Sequence, residues 1–238
     1  MKIEILYPRL CNLYGDSANV LYLKKTLSDA TFIETKLNEK PKFLTEKIDL
    51  VYIGSTTEKN QELIINDLMK YKEEIKNKID EGQFIFATGN SFEIFCKYIE
   101  TESNEKINCL DIFDCYIKRN LNKRHNSLFL GEFNDITIVG NKSQFTQCYG
   151  LKNNFFVKVT KGIGINPEEK YEGIHYNNFY GTYLLGPFLV LNPYFTKYLL
   201  KELGYTGKLA FEEDTIKAYE IRLTELQDDK TIFGSMHN

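Results

Sequence analysis

Phe84-Ile85-Phe86-Ala87-Thr88-Gly89-Asn90-Ser91-Phe92-Glu93-Ile94-Phe95-Cys96-Lys97-Tyr98 is the stretch on which the reading of the fold turns. Phe84–Ala87 is a short apolar run of residues that favour strands. Thr88–Ser91 is turn material. Phe92, Phe95, Cys96 and Ile99 then recur at helical spacing, which predicts a helix from about Ser91. Strand, tight turn and buried helix together have the shape of a nucleophile elbow. Such a turn holds one side chain at the mouth of an α/β sheet, beside the backbone N–H groups of a helix start. The residue at the tip is Gly89, which has no side chain to react with.

Upstream, Lys2–Tyr7 reads as a first strand that Pro8 ends, and the N-terminus carries no signal-peptide h-region. Asp16 or Ser17 is placed to cap a helix with Val20, Leu23, Lys24 and Leu27 on one side. Thr31–Lys36 and Asp49–Gly54 are further strands. A long helix is expected from about Gln61 to Asp80, with Ile64, Leu68, Tyr71, Ile75 and Ile79 as its apolar stripe and Gly82 as its stop. This alternation predicts a parallel sheet with helices on both faces and a crevice at the strands' C-terminal ends. After Thr101 the texture changes to short strands between turns, among them Ile112–Ile117, Leu128–Leu130, Ile136–Val139, Phe155–Val159, Tyr171–Tyr176 and Phe179–Tyr183. They predict a more antiparallel extension of the same sheet. Asn192-Pro193 opens a helix to about Leu203, and a last helix runs from about Asp214 to Leu226. The tail from about 227 is polar and expected to fray. With no repeat or linker in view, residues 1–238 read as a single domain.

A chain of 238 residues, 42% hydrophobic and 26% charged, can bury a sizeable core. A net charge of −3 gives no reason to expect nucleic acid. No apolar run is long enough to span a membrane. The five cysteines (11, 96, 109, 115 and 148) are odd in number and form no CxxC pair. Reduced, buried thiols in a cytoplasmic protein are therefore expected, with no metal and no cofactor.

Three stretches together resemble one family. The first is Leu6-Tyr7-Pro8 with Leu13-Tyr14-Gly15-Asp16 and Asn19. The second is Glu172-Gly173, Tyr176, Asn178, Gly181-Thr182-Tyr183-Leu184-Leu185-Gly186-Pro187 and Asn192-Pro193. The third is the elbow with the Asp49–Gly54 strand before it. They are similar to class I glutamine amidotransferases of the cobyric acid synthase type, and within these to the small glutaminase subunits of lipid II isoglutaminyl synthase. The resemblance covers nearly the whole chain. It implies a flavodoxin-like α/β fold with a mixed, mostly parallel sheet, and a synthetase partner, Mur-ligase-like, that receives ammonia. It also implies a cysteine at the elbow, a histidine that handles protons, and backbone N–H groups of a glycine-rich loop that stabilise the oxyanion.

The residues at those places differ. Where the family elbow reads roughly Ile-Cys-Gly-Gly-Tyr-Gln, this chain has Thr88-Gly89-Asn90-Ser91-Phe92-Glu93, so Gly89 takes the nucleophile position. Leu185 takes the histidine position, and Gly54-Ser55-Thr56 replaces Gly-Gly-Gly in the oxyanion loop. Gly140–Gln144 stands where the family has Gly-Phe-Glu-Asn-His. The resemblance thus implies a catalytically degenerate subunit, acting as a scaffold or regulator beside the synthetase. Two enzyme readings stay open: an active glutaminase through other residues, and a serine hydrolase using Ser91. Gly89–Glu93 matches a Gly-x-Ser-x-Gly elbow except at its final glycine. Cys96 and His175 are the remaining fallback candidates, with Cys96 expected to face the core, Ser91 to cap the helix and His175 to sit half-exposed in a strand. His125 falls in a charged loop with the basic pair Lys118-Arg119, expected to be solvated, and His237 in the tail. Asn90, Glu93, Gln144 and Tyr183 are the candidates to line the pocket, Glu93 either solvated or turned into it.

Overall fold

A computed structural model describes residues 1–236; His237 lies outside the described residues. The first half alternates as expected: β1 (Lys2–Leu6), α1 (Ser17–Thr26), β2 (Thr31–Thr35), β3 (Leu50–Ile53), α2 (Glu58–Met69), α3 (Lys72–Asp80) and β4 (Ile85–Thr88). Short strands follow: β5 (Tyr98–Glu100), β6 (Lys106–Asn108), β7 (Tyr116–Arg119), β8 (His125–Phe133), β9 (Ile136–Gln144), β10 (Thr146–Tyr149), β11 (Phe155–Lys161), β12 (Tyr171–Tyr176) and β13 (Phe179–Thr182). The chain then forms α4 (Phe188–Leu191), α5 (Pro193–Glu202), α6 (Glu212–Gln227) and β14 (Gly234–Met236).

Strands β2, β1, β3, β4 and β13 run parallel in that order. Beyond β13 the sheet turns antiparallel through β12, β11 and β8, and β8 also pairs β9 and β14. Strands β10, β7, β5 and β6 make a separate four-stranded sheet. Side chains alternate across the large sheet, as the strand period requires. Val51 and Ile53 pack with Ile64, Leu68, Ile75 and Ile79 of α2 and α3. Leu50 and Tyr52 pack on the other face with Leu23 of α1 and Phe188, Phe195 and Leu199 of α4 and α5.

Several local expectations are corrected. The long helix over 61–80 is two helices, because Tyr71 leaves helical geometry (φ −115, ψ 12). The stripe still faces one core cluster on both sides of the break. The helix expected after the elbow does not form. Gly89–Phe95 is a 3₁₀ turn, and Cys96 is extended. The reason lies far along the chain: the carbonyls of Ile94, Phe95 and Cys96, which a longer helix would use, accept N–H groups of Leu110, Ile112, Phe113 and Asp111 instead. Asn192 precedes Pro193 as expected, but its side chain does not cap α5. It pairs with both backbone groups of Val139 at 2.8 and 2.9 Å. The tail is not frayed throughout, since Gly234–Met236 pairs with β8.

Candidate functional site

Parallel pairing of β13 with β4 sets Thr182 opposite Thr88. The segments leaving these two strands therefore emerge side by side at their C-terminal ends. One is the Gly89 turn; the other carries Tyr183, Leu184 and Leu185. Ser55 and Thr56, after β3, close the third side. Residues far apart in sequence thus meet around Gly89: Leu13, Tyr14, Ser55, Thr56, Asn90 and Leu185 line one pocket with it. Glu58, Ser143, Gln144, Phe145, Thr146 and Tyr183 complete the wall. The cavity between them is about 20 Å³, room for about one water molecule.

Gly89 has φ +60, a left-handed conformation that favours glycine. A Cβ there would overlap the Cβ of Ser55, and would stand 3.1 Å from Ser55 Cα and 3.4 Å from Leu185 Cδ2. The serine side chain occupies the space into which a Cβ at the tip would point, and Leu185 stands at contact distance beside it. Leu185 is buried, and its N–H donates to the Asn141 carbonyl at 2.9 Å.

The N–H groups of the Ser55-Thr56 loop already have acceptors. Ser55 N–H donates to Asp16 Oδ2 at 2.9 Å, and Thr56 N–H donates to Asn90 Oδ1 at 3.0 Å. The Ser55 hydroxyl donates to the Leu13 carbonyl at 2.7 Å and the Thr56 hydroxyl to the Leu10 carbonyl at 2.7 Å. A loop whose donors are committed in this way offers little to a developing oxyanion.

Asp16 is a residue that sequence reading assigned to the wrong task. Its carboxylate does not cap α1; Asn12 Oδ1 accepts the Ser17 N–H instead, at 3.0 Å. Asp16 accepts the Tyr52 and Thr88 hydroxyls, both at 2.6 Å, together with Ser55 N–H and Asn19 Nδ2. It therefore ties α1, β3 and β4 together beneath the Gly89 turn. Burial raises its pKa, and the hydrogen bonds from Thr88, Tyr52, Ser55 and Asn19 oppose that shift. Asp16→Ala is expected to leave these donors unpaired and to lower stability by about 3 kcal/mol or more, read as a shift of the urea midpoint. A midpoint equal to wild type would remove Asp16 from this role.

The fallback candidates do not assemble into a reacting group. The Ser91 hydroxyl donates to the Gly54 carbonyl, so it is not a helix cap either. Cys96 faces the core as expected, with its sulfur 3.2 Å from Cys115. His175 is half-buried in β12 and stacks on Tyr180 with ring centroids 4.4 Å apart; burial lowers its pKa. His125 is buried in β8, and Arg119 is buried against Glu62 and Gln61, so neither belongs to a solvated loop. Cys11, which the sequence did not single out, is the thiol beside the elbow. Burial is the leading cause that pushes it up to about 12, with Asp16 adding to the rise and the Ser91 and Thr56 hydroxyls opposing it. Such a thiol is protonated at neutral pH and a poor nucleophile.

Asn90, Gln144 and Tyr183 line the pocket, and Glu93 lies beneath it, fully buried rather than solvated. Its carboxylate accepts the Tyr183 hydroxyl and Gln61 Nε2, both at 2.7 Å. Arg119 Nη2 in turn donates to Gln61 Oε1 at 2.8 Å. Burial raises the Glu93 pKa, while the Gln61 and Tyr183 hydrogen bonds and the Arg119 charge are among the contacts that counter it. This network fixes the aromatic floor of the pocket.

The CobB/CobQ-like glutamine amidotransferase domain matches residues 2–193. The chain is 30% identical over 211 residues to the Staphylococcus aureus lipid II isoglutaminyl synthase (glutamine-hydrolyzing) subunit GatD, covering 86% of this chain and 85% of that one. It is 28% identical over 236 residues to the Streptococcus pneumoniae subunit of the same name, covering 91% and 87%. A crystal structure of a glutamine amidotransferase superposes with a TM-score of 0.58 at 14% identity, over 85% of this chain and 99% of that one. This likeness shows the flavodoxin-like class I amidotransferase fold. No helix among the described residues is long and apolar enough to cross a membrane. With its family domain matched over most of its length, the chain belongs to the CobB/CobQ-like glutamine amidotransferases.

Proposed function

We propose that this chain is a catalytically degenerate amidotransferase subunit that serves as scaffold or regulator of an amide-forming synthetase, Mur-ligase-like, acting on a cell-wall precursor. The observation that carries the reading is the geometry at Gly89: the tip has no side chain, and Ser55 fills the space a Cβ would need, with Leu185 in contact beside it. The committed N–H groups of Ser55 and Thr56 support it further. On this reading Gly89 and Leu185 are the degenerate nucleophile and base positions, and Gly54-Ser55-Thr56 is the former oxyanion loop. The names of the relatives support the choice of partner and pathway, since both are subunits of a lipid II isoglutaminyl synthase.

The test is purification of the tagged chain from its own cell at moderate salt, with identification of the co-purifying protein and a glutaminase assay on the complex. A synthetase in stoichiometric amount with no ammonia released from glutamine is the expected result. Ammonia release that is lost in Cys11→Ser would overturn it in favour of an active glutaminase. Labelling of Ser91 by a fluorophosphonate would overturn it in favour of a serine hydrolase.

A further inference from the structure

Three cysteines far apart in the chain meet inside it. Cys96 follows the 3₁₀ turn that leaves the elbow, Cys115 precedes β7, and Cys148 lies in β10. Their sulfur atoms all lie within 4.8 Å of one another. The three side chains are buried and unoxidised, in a cluster that also holds Phe92, Phe95 and Phe113. A core thiol used as a small hydrophobe has no need of sulfur neighbours. Three sulfurs held at about 2.3 Å by one ion in a plane stand about 4 Å apart, and this cluster falls within that reach.

We propose that Cys96, Cys115 and Cys148 form a three-sulfur site for a soft monovalent cation, Cu(I). Thiolate ligands select Cu(I), zinc or iron–sulfur clusters over hard cations. Zinc is almost always four-coordinate in structural sites. Among the described residues no fourth His, Cys, Asp or Glu joins this group. Binding changes no oxidation state. Three copper–sulfur bonds form and three S–H protons leave to solvent, because the thiolate is the ligand, so the loaded site carries two net negative charges. The ion would cross-link the exit of the elbow to β7 and β10, fastening the four-stranded sheet to the turn that carries Gly89.

The test uses the full chain, purified reduced and without oxygen, and titrated with Cu(I) against bathocuproine disulfonate. The expected result is one copper retained per chain, a higher melting temperature on loading, and a copper-edge absorption spectrum with three sulfur neighbours. Cys148→Ala should weaken retention by more than the roughly tenfold to hundredfold of an outer-shell change. Cys11→Ala and Cys109→Ala should retain copper as wild type does. If Cys148→Ala fails to fold by circular dichroism, the sulfur count of the loaded wild type decides: three supports the site, and fewer, or nitrogen and oxygen neighbours, overturns it. Failure of wild type to hold copper against the chelator, preference for zinc, or unchanged binding in folded Cys148→Ala would each overturn it as well.

Discussion

Gly89→Cys alone is expected to destabilise the chain by about 2–5 kcal/mol and to release no ammonia from glutamine. Two effects add. A side chain at φ +60 costs about 1–2 kcal/mol, and forcing its Cβ into the Cβ of Ser55 is overpacking worth about 1–3 kcal/mol. Adding Ser55→Gly should recover the second part, less about 1 kcal/mol for the hydrogen bond from the Ser55 hydroxyl to the Leu13 carbonyl. Urea midpoints of the single and double variants measure the difference. A single variant as stable as wild type would show that position 55 does not block the tip. Leu185→His together with Gly89→Cys should still be silent, because Ser55 crowds the thiol and Asn90 holds the Thr56 N–H. On the proposed reading, glutaminase activity is expected to need Ser55→Gly and the removal of the Asn90 side chain in addition. The tip residue, its neighbour and the loop form one packed unit, so on the proposed reading a single substitution would not install a working nucleophile.

Glu172→Ala is expected to cost about 3–5 kcal/mol, the usual effect of leaving one partner of a buried ion pair alone. Lys142 and Glu172 are both fully buried, with Nζ 3.6 Å from Oε1. Glu172 also accepts the Thr182 hydroxyl at 2.7 Å and the Tyr183 N–H at 2.8 Å, so it anchors the segment that delivers Leu185 to the pocket. Lys142 donates to the Gly164 carbonyl at 2.7 Å and lies between the rings of Phe129 and Tyr183. The double variant Lys142→Met with Glu172→Gln removes both charges and should recover most of the loss.

The same pair predicts a pH dependence. Burial pulls Lys142 down from 10.5 to about 8, against the pull of Glu172 in the other direction. Between about pH 8 and 10.5 the unfolded lysine therefore binds more protons than the folded one, and stability rises with pH. Relative to the uncharged double variant, wild type should gain up to about 3 kcal/mol across that window. Denaturation at pH 7, 8, 9 and 10 reads it directly, and a flat difference would mean that Lys142 keeps its ordinary proton affinity.

The alternation of strands and helices was legible because local periodicity reports local burial. Leu50–Ile53 read as a buried strand between turn signals, and the stripe from Ile64 to Ile79 as an amphipathic helical face. The glycine at the tip of the elbow was legible too, since a residue's identity needs no neighbours. Local pattern failed wherever a partner came from far along the chain. The helix after Gly89 was lost to N–H groups of 110–113. Asn192 and Asp16 were taken from their caps by Val139, Tyr52 and Thr88. The separation of 19 positions between Cys96 and Cys115 gave no sign that their sulfurs meet. Sequence alone determined the alternating α/β order and a glycine after its fourth strand, because strand and helix periods and residue identities are local properties; the amidotransferase fold was implied by the resemblance of three stretches to that family. Tertiary structure alone decided that Ser55 blocks the tip at Gly89 with Leu185 packed beside it, because that depends on the register in which β3, β4 and β13 align.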